Sequence, residues 1–69
     1  MRRDPVNSSN VAEVGYDDVS QTLEILFRNS GLYQYFEVPR REYEALMAAP
    51  SLGEYLNRNI KGTYRYARV

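Results

Sequence analysis

The sequence predicts a small α+β domain: an antiparallel sheet with two short helices inserted before its last strand, in the order βββααβ. Three observations carry that reading. Strand-like alternation fills the first half, as in Leu23, Ile25 and Phe27 against Glu24 and Arg28. The strands are separated by connections too short for anything but antiparallel neighbours. Apolar residues then recur at helical spacing between Pro39 and Ile60, before a final Tyr-x-Tyr strand.

Taken in order, residues 1–8 read as a flexible tether, with charge, Pro5 and Asn7 but no apolar period, and residues 9–69 as one domain. The first strand runs from Asn10 to Tyr16, with Ala12, Val14 and Tyr16 on one face. Asp17-Asp18-Val19-Ser20 is a turn, because aspartates accept hydrogen bonds from nearby backbone amides. The second strand spans Thr22–Arg28, with Leu26 as the break in its alternation. Asn29-Ser30-Gly31 is a three-residue hairpin connection whose glycine takes positive φ. The third strand, Leu32–Glu37, is apolar on both faces: Leu32 and Phe36 on one, Tyr33 and Tyr35 on the other.

Pro39 suits a first helical turn, where its missing amide proton is not needed, and opens a helix to Ala48 with Tyr43, Leu46 and Met47 on one stripe. Pro50 stops it. Ser51-Leu52-Gly53-Glu54 has the form of a capping box for a second helix that turns Leu52, Tyr55, Leu56 and Ile60 inward. That helix ends at Lys61, with Gly62 as left-handed cap. Thr63–Arg68 returns to a sheet edge.

The chain has 69 residues and no cysteine, so apolar side chains alone must hold it, and seven tyrosines with two phenylalanines supply much of that area. Histidine is absent too. The usual neutral-pH base, the thiolate nucleophile and the main zinc ligands are therefore missing, and we read the chain as non-enzymatic, with no cofactor. Asp17 and Asp18 are neighbours in a tight turn, a poor start for a hard cation that needs about six oxygens, so no metal is expected. No apolar run approaches the roughly 20 residues of a membrane span, and Met1-Arg2-Arg3-Asp4-Pro5 is unlike a secretory leader, which points to a cytoplasmic monomer without membrane contact.

Net charge is zero but uneven: residues 1–27 carry −3 and residues 28–69 carry +3. The candidate binding residues lie in the second group. Tyr33 with Tyr35, and Tyr64 with Tyr66, place paired rings on strand faces, which makes each pair either a core wall or a stacking platform. Arg65 and Arg68 interleave with the last pair, as in single-strand RNA or DNA binders. Arg40 and Arg41 sit at a helix start, where they join free amides as an anion site or pair with Glu37, Glu42 and Glu44. RNA is one expected partner. The alternative is another protein, bound at a sheet edge or an apolar sheet face.

The motif series resembles the KTSC domain, a short module found at the C-terminus of some lysyl-tRNA synthetases and as small stand-alone bacterial proteins. The resemblance runs through Ser8-Ser9-Asn10-Val11, Gly15-Tyr16-Asp17, Leu23 and Phe27, then Gly31-x-Tyr33-x-Tyr35-x-x-Val38-Pro39. It continues through Tyr43, Ser51-x-Gly53-x-Tyr55-Leu56-Asn57, Ile60-Lys61 and Tyr64, with Leu56 where many relatives would carry phenylalanine. It implies a fold of the kind read above and association with RNA. It brings no catalytic residues.

Overall fold

A computed structural model describes residues 1–69. Five antiparallel strands lie in the sheet in sequence order: β1 Arg3–Pro5, β2 Val11–Asp17, β3 Thr22–Phe27, β4 Gly31–Tyr35 and β5 Tyr66–Arg68. Between β4 and β5 come α1, Arg40–Ala48, and α2, Leu52–Tyr55, which runs on as a π-helical turn over Leu56–Ile60. The α+β class and the helix placement agree with the sequence reading. One correction concerns the strand count: four strands precede the helices, not three.

The additional strand is β1, inside the segment read as a tether. Arg, Asp and Pro are poor strand formers, so its pairing comes from side-chain chemistry. Arg3 pairs with Gly15 in the register, and its guanidinium reaches across to Glu24 at 2.7 Å and to Glu13 at 2.9 Å. Glycine opposite Arg3 is what allows this. A Cβ at position 15 would lie 2.6 Å from the Arg2 carbonyl oxygen and 2.9 Å from Arg3 Cγ. Pro5 costs little on this strand because an edge has spare donors.

Burial alone would push the Glu24 carboxyl up, but hydrogen bonds from Gln34 and Arg3 outweigh it and hold the group below its ordinary value. A carboxylate held low in the folded state contributes stability above its ordinary pKa of 4.5, and that contribution is lost as pH falls through the folded value. We therefore expect the urea midpoint to fall on acidification below about pH 4.5, and the fall to be smaller in Glu24→Gln. Identical acid slopes for the two proteins would contradict this account.

The second correction is in β2. The register shifts between Val11 and Glu13, so Ala12 is the extra residue of a bulge. Val11 therefore joins Val14 in the core, and Ala12 does not occupy the inward position the alternation assigned to it. Leu26, the exception in β3, lies directly opposite Leu32 on the face away from the helices. The helices cover only the other face. There Leu23, Ile25 and Tyr35 pack with Val38, Leu46, Leu56 and Ile60.

The turn and cap chemistry follows the residues. Gly31 and Gly62 have φ of 94° and 83°, the left-handed region glycine tolerates. The Ser51 hydroxyl accepts from the Glu54 amide, the serine half of a capping box, while the Glu54 carboxylate turns to Arg58. Glu37 and Gln21 also sit at positive φ, and between them the Val38 amide donates to the Gln21 carbonyl at 2.9 Å, locking the entry to α1. Tyr16 and Tyr43 stack at 4.8 Å between centroids, while the Tyr16 hydroxyl donates to the Val38 carbonyl. This contact fixes α1 to the sheet.

Candidate functional site

Strand periodicity turns Tyr33 and Tyr35 toward the same side of β4, and the β4–β5 register sets Arg68 opposite Tyr33 and Tyr66 opposite Tyr35. The Tyr66 ring centroid is 5.8 Å from each of the other two. Phe27, one strand further in, meets Tyr33 edge to face at 5.4 Å. The far wall comes from the end of the second helix. Lys61 follows the π turn, its amide donating to the Leu56 carbonyl, and its ammonium stands 4.9 Å from the Phe27 ring centroid. Phe27, Tyr33, Tyr35, Tyr66 and Lys61, with Ser30 and Gly62, line a half-open cavity of about 450 Å³. That volume lies within the usual range of small-ligand pockets.

The three tyrosines play different parts. Tyr35 is core, only 3% exposed, and burial raises its phenol above the ordinary value. Tyr33 is half-buried, and Tyr66 is 61% exposed, a ring held at the surface by its neighbours. Core wall and exposed ring thus coexist in one cluster: Tyr35 is the base, Tyr66 the accessible face. Arg68 lies over Gly31, its Nη2 placed 3.3 Å from where a Cβ would stand. Any larger residue at position 31 would contend with that guanidinium.

The other residues singled out by the sequence fall elsewhere. Arg40 pairs with Asp18 and with Glu44, so its charge is already answered. Arg65 pairs with Glu37 at 3.3 Å. Arg41 is exposed on α1, apart from the aromatic cavity. Tyr64 is a tie rather than a platform: its hydroxyl and that of Tyr55 both donate to the Glu42 carboxylate. Burial and that carboxylate raise the Tyr64 phenol; for Tyr55 the hydrogen bond to Glu42 is the main cause.

Of the eight named positions, Tyr33, Tyr35, Tyr66 and Arg68 come together. Phe27 and Lys61 complete the cluster and were read in the sequence only as core and as helix terminus. Cross-strand pairing in the hairpin could have drawn in Phe27. Lys61 could not have been found that way, because its position depends on the π turn. No three acidic side chains converge as a metal site would need. No helix is long and apolar enough to cross a membrane.

The KTSC domain family model matches residues 7–66. An uncharacterized protein of Stutzerimonas stutzeri is 40% identical over 70 residues, covering 100% of this chain and 99% of that protein. A lysine–tRNA ligase of Trichormus variabilis is 38% identical over 61 residues, which cover 88% of this chain but 11% of the ligase. Among solved structures, a KTSC domain protein from Yersinia pestis superimposes with a TM-score of 0.97 at 40% identity, covering 99% of this chain and 96% of that one.

Proposed function

The chain belongs to the KTSC domain family, and from that premise we propose that it is a non-catalytic module that binds single-stranded RNA in the cavity between β4, β5 and Lys61. The observation that carries the reading is the exposed Tyr66 ring beside Tyr33 and Phe27, with Lys61 on the cavity wall and the Arg68 guanidinium nearby over Gly31. Aromatic faces next to positive charge let bases stack while phosphates are neutralised. The same domain occurs within lysine–tRNA ligases, proteins whose name joins them to an RNA substrate, and this supports RNA as the partner.

Tyr66 is the main stacking face and Tyr33 the second. Lys61 and Arg68 contact the backbone. Arg40 and Arg65, already paired with carboxylates, contribute little to it.

The test uses the protein's own emission, which comes from tyrosine alone because tryptophan is absent. Short single-stranded RNA should quench it at low salt, with affinity falling as salt rises. Tyr66→Ala should keep the fold and weaken binding by roughly 1–3 kcal/mol, the worth of one stacked base. If RNA leaves the emission and the amide shifts of β4 and β5 unchanged at low salt, the reading fails.

A further inference from the structure

Five of the nine basic side chains are committed to carboxylates: Arg2, Arg3, Arg40, Arg58 and Arg65. Arg28 donates to the Ser8 carbonyl. Arg41, Lys61 and Arg68 have neither an ion pair nor a hydrogen bond from the side chain, and two of these three stand at one end of the aromatic cavity. The sheet register brings them there. Arg68 reaches from β5 to lie over Gly31, its Nη2, Nε and Cζ at 3.3, 3.5 and 3.9 Å from where a Cβ would stand. Gly31 is directly opposite Phe27, and the Lys61 ammonium stands over the Phe27 ring. No acidic residue is among the cavity walls.

We propose that Lys61 and Arg68 form a phosphate site for the phosphorylated end of an RNA strand, next to the Tyr66 and Tyr33 rings that stack its last base. This rests on the reading of the aromatic cavity as an RNA-stacking site. Charge and oxygen count separate an end phosphate from an internal one. An internal phosphodiester carries one negative charge and two free oxygens. A phosphomonoester approaches two charges near neutral pH and has three free oxygens. Two cations with no carboxylate beside them balance the monoester and overcompensate the diester. A planar guanidinium takes two oxygens through parallel N–H bonds, and an ammonium takes the third as a point charge. Gly31 belongs to the site as well as to the turn, because a side chain there would claim the space of the guanidinium. The cavity, at about 450 Å³, has room for one ligand of small-molecule size rather than for a run of bases.

Tyrosine quenching at low salt with UUU, its 5′-phosphorylated form, its 3′-phosphorylated form and the mononucleotide UMP tests the proposal. One phosphorylated trimer should bind about fivefold or more tighter than UUU, and which one does so identifies the end. UMP should bind more weakly than that trimer; equal affinity would make a free nucleotide the ligand and overturn the assignment to a strand end. In Lys61→Gln and in Arg68→Gln the advantage of the phosphate should shrink to about twofold or less, whereas Arg41→Gln, at the unpaired cation apart from the cavity, should keep it. All three positions are exposed, so the fold should survive each change. An advantage that persists in both cavity variants would put the phosphate elsewhere and overturn the proposal. Equal affinity of the three trimers would overturn it too, and leave RNA stacking standing. If none of the four ligands binds, both readings fall together.

Discussion

Tyr35→Ala should remove much of the domain's stability, by about 3–5 kcal/mol. The ring is 3% exposed and packs among Leu23, Ile25, Val38 and Ile60, so truncation removes its burial and leaves a cavity. Large-to-small changes at aromatic core positions cost about 3–5 kcal/mol. A chain of 69 residues has a net stability of order 3–10 kcal/mol, so one such loss consumes much of it. Tyr35→Phe preserves the ring and should cost far less. Circular dichroism and urea titration of the two variants measure the difference directly. Equal stability of Tyr35→Ala and the parent would mean that this ring is not core. The contrast with Tyr66 matters most, because both rings belong to one cluster and only one holds the fold.

Gly15→Ala is the second large effect, and it acts through β1. The added methyl would stand 2.6 Å from a backbone oxygen, which cannot swing aside as a side-chain tip could, so Arg2 and Arg3 must lift from the sheet. Lifting breaks the Arg3 contacts to Glu13 and Glu24. It leaves the Glu24 carboxylate, 7% exposed in the fold, with Gln34 as its remaining partner. Overpacking of this kind costs about 1–3 kcal/mol.

A cycle with Arg3→Ala isolates the cause. If Gly15→Ala already detaches β1, adding Arg3→Ala should change stability little beyond the single glycine change. Amide exchange at Asp4 and Val6, whose N–H groups face β2, should accelerate in the same variant. Strictly additive costs, with protected β1 amides, would place the damage somewhere other than the Arg3 contacts.

The sequence made the central meander legible because two local rules agree there. Leu23, Ile25 and Phe27 alternate, and Asn29-Ser30-Gly31 offers the turn that brings β4 back beside β3. The capping box at Ser51 and the glycine at 62 are likewise local chemistry. The parts that escaped depend on contacts far apart in the chain. β1 has a composition that argues against a strand and forms through Arg3 reaching Glu24, 21 residues away. The bulge at Ala12 exchanges one inward residue for its neighbour without leaving a mark in the alternation.

The candidate site divides along the same line. Tyr33, Tyr35 and Tyr66 follow from strand periodicity and register. The neutralisation of Arg40 by Asp18, 22 residues distant, and the placement of Lys61 by a single π turn do not. Of the three glutamates near Arg40 and Arg41 in the sequence, Glu44 serves Arg40, while Glu37 serves Arg65 and Glu42 receives two phenols.

β5 has a consequence for how a guest would enter. It is three residues long, lies at the sheet edge and is exposed throughout, held to β4 by a short ladder and by the Val69 amide on the Leu32 carbonyl. Segments with so little burial open at a small fraction of the free energy of global unfolding. Tyr66 and Arg68 therefore sit on a segment whose local opening costs less than disrupting the core that holds Tyr35 and Ile60. Opening of this edge is thus separated from the integrity of the fold.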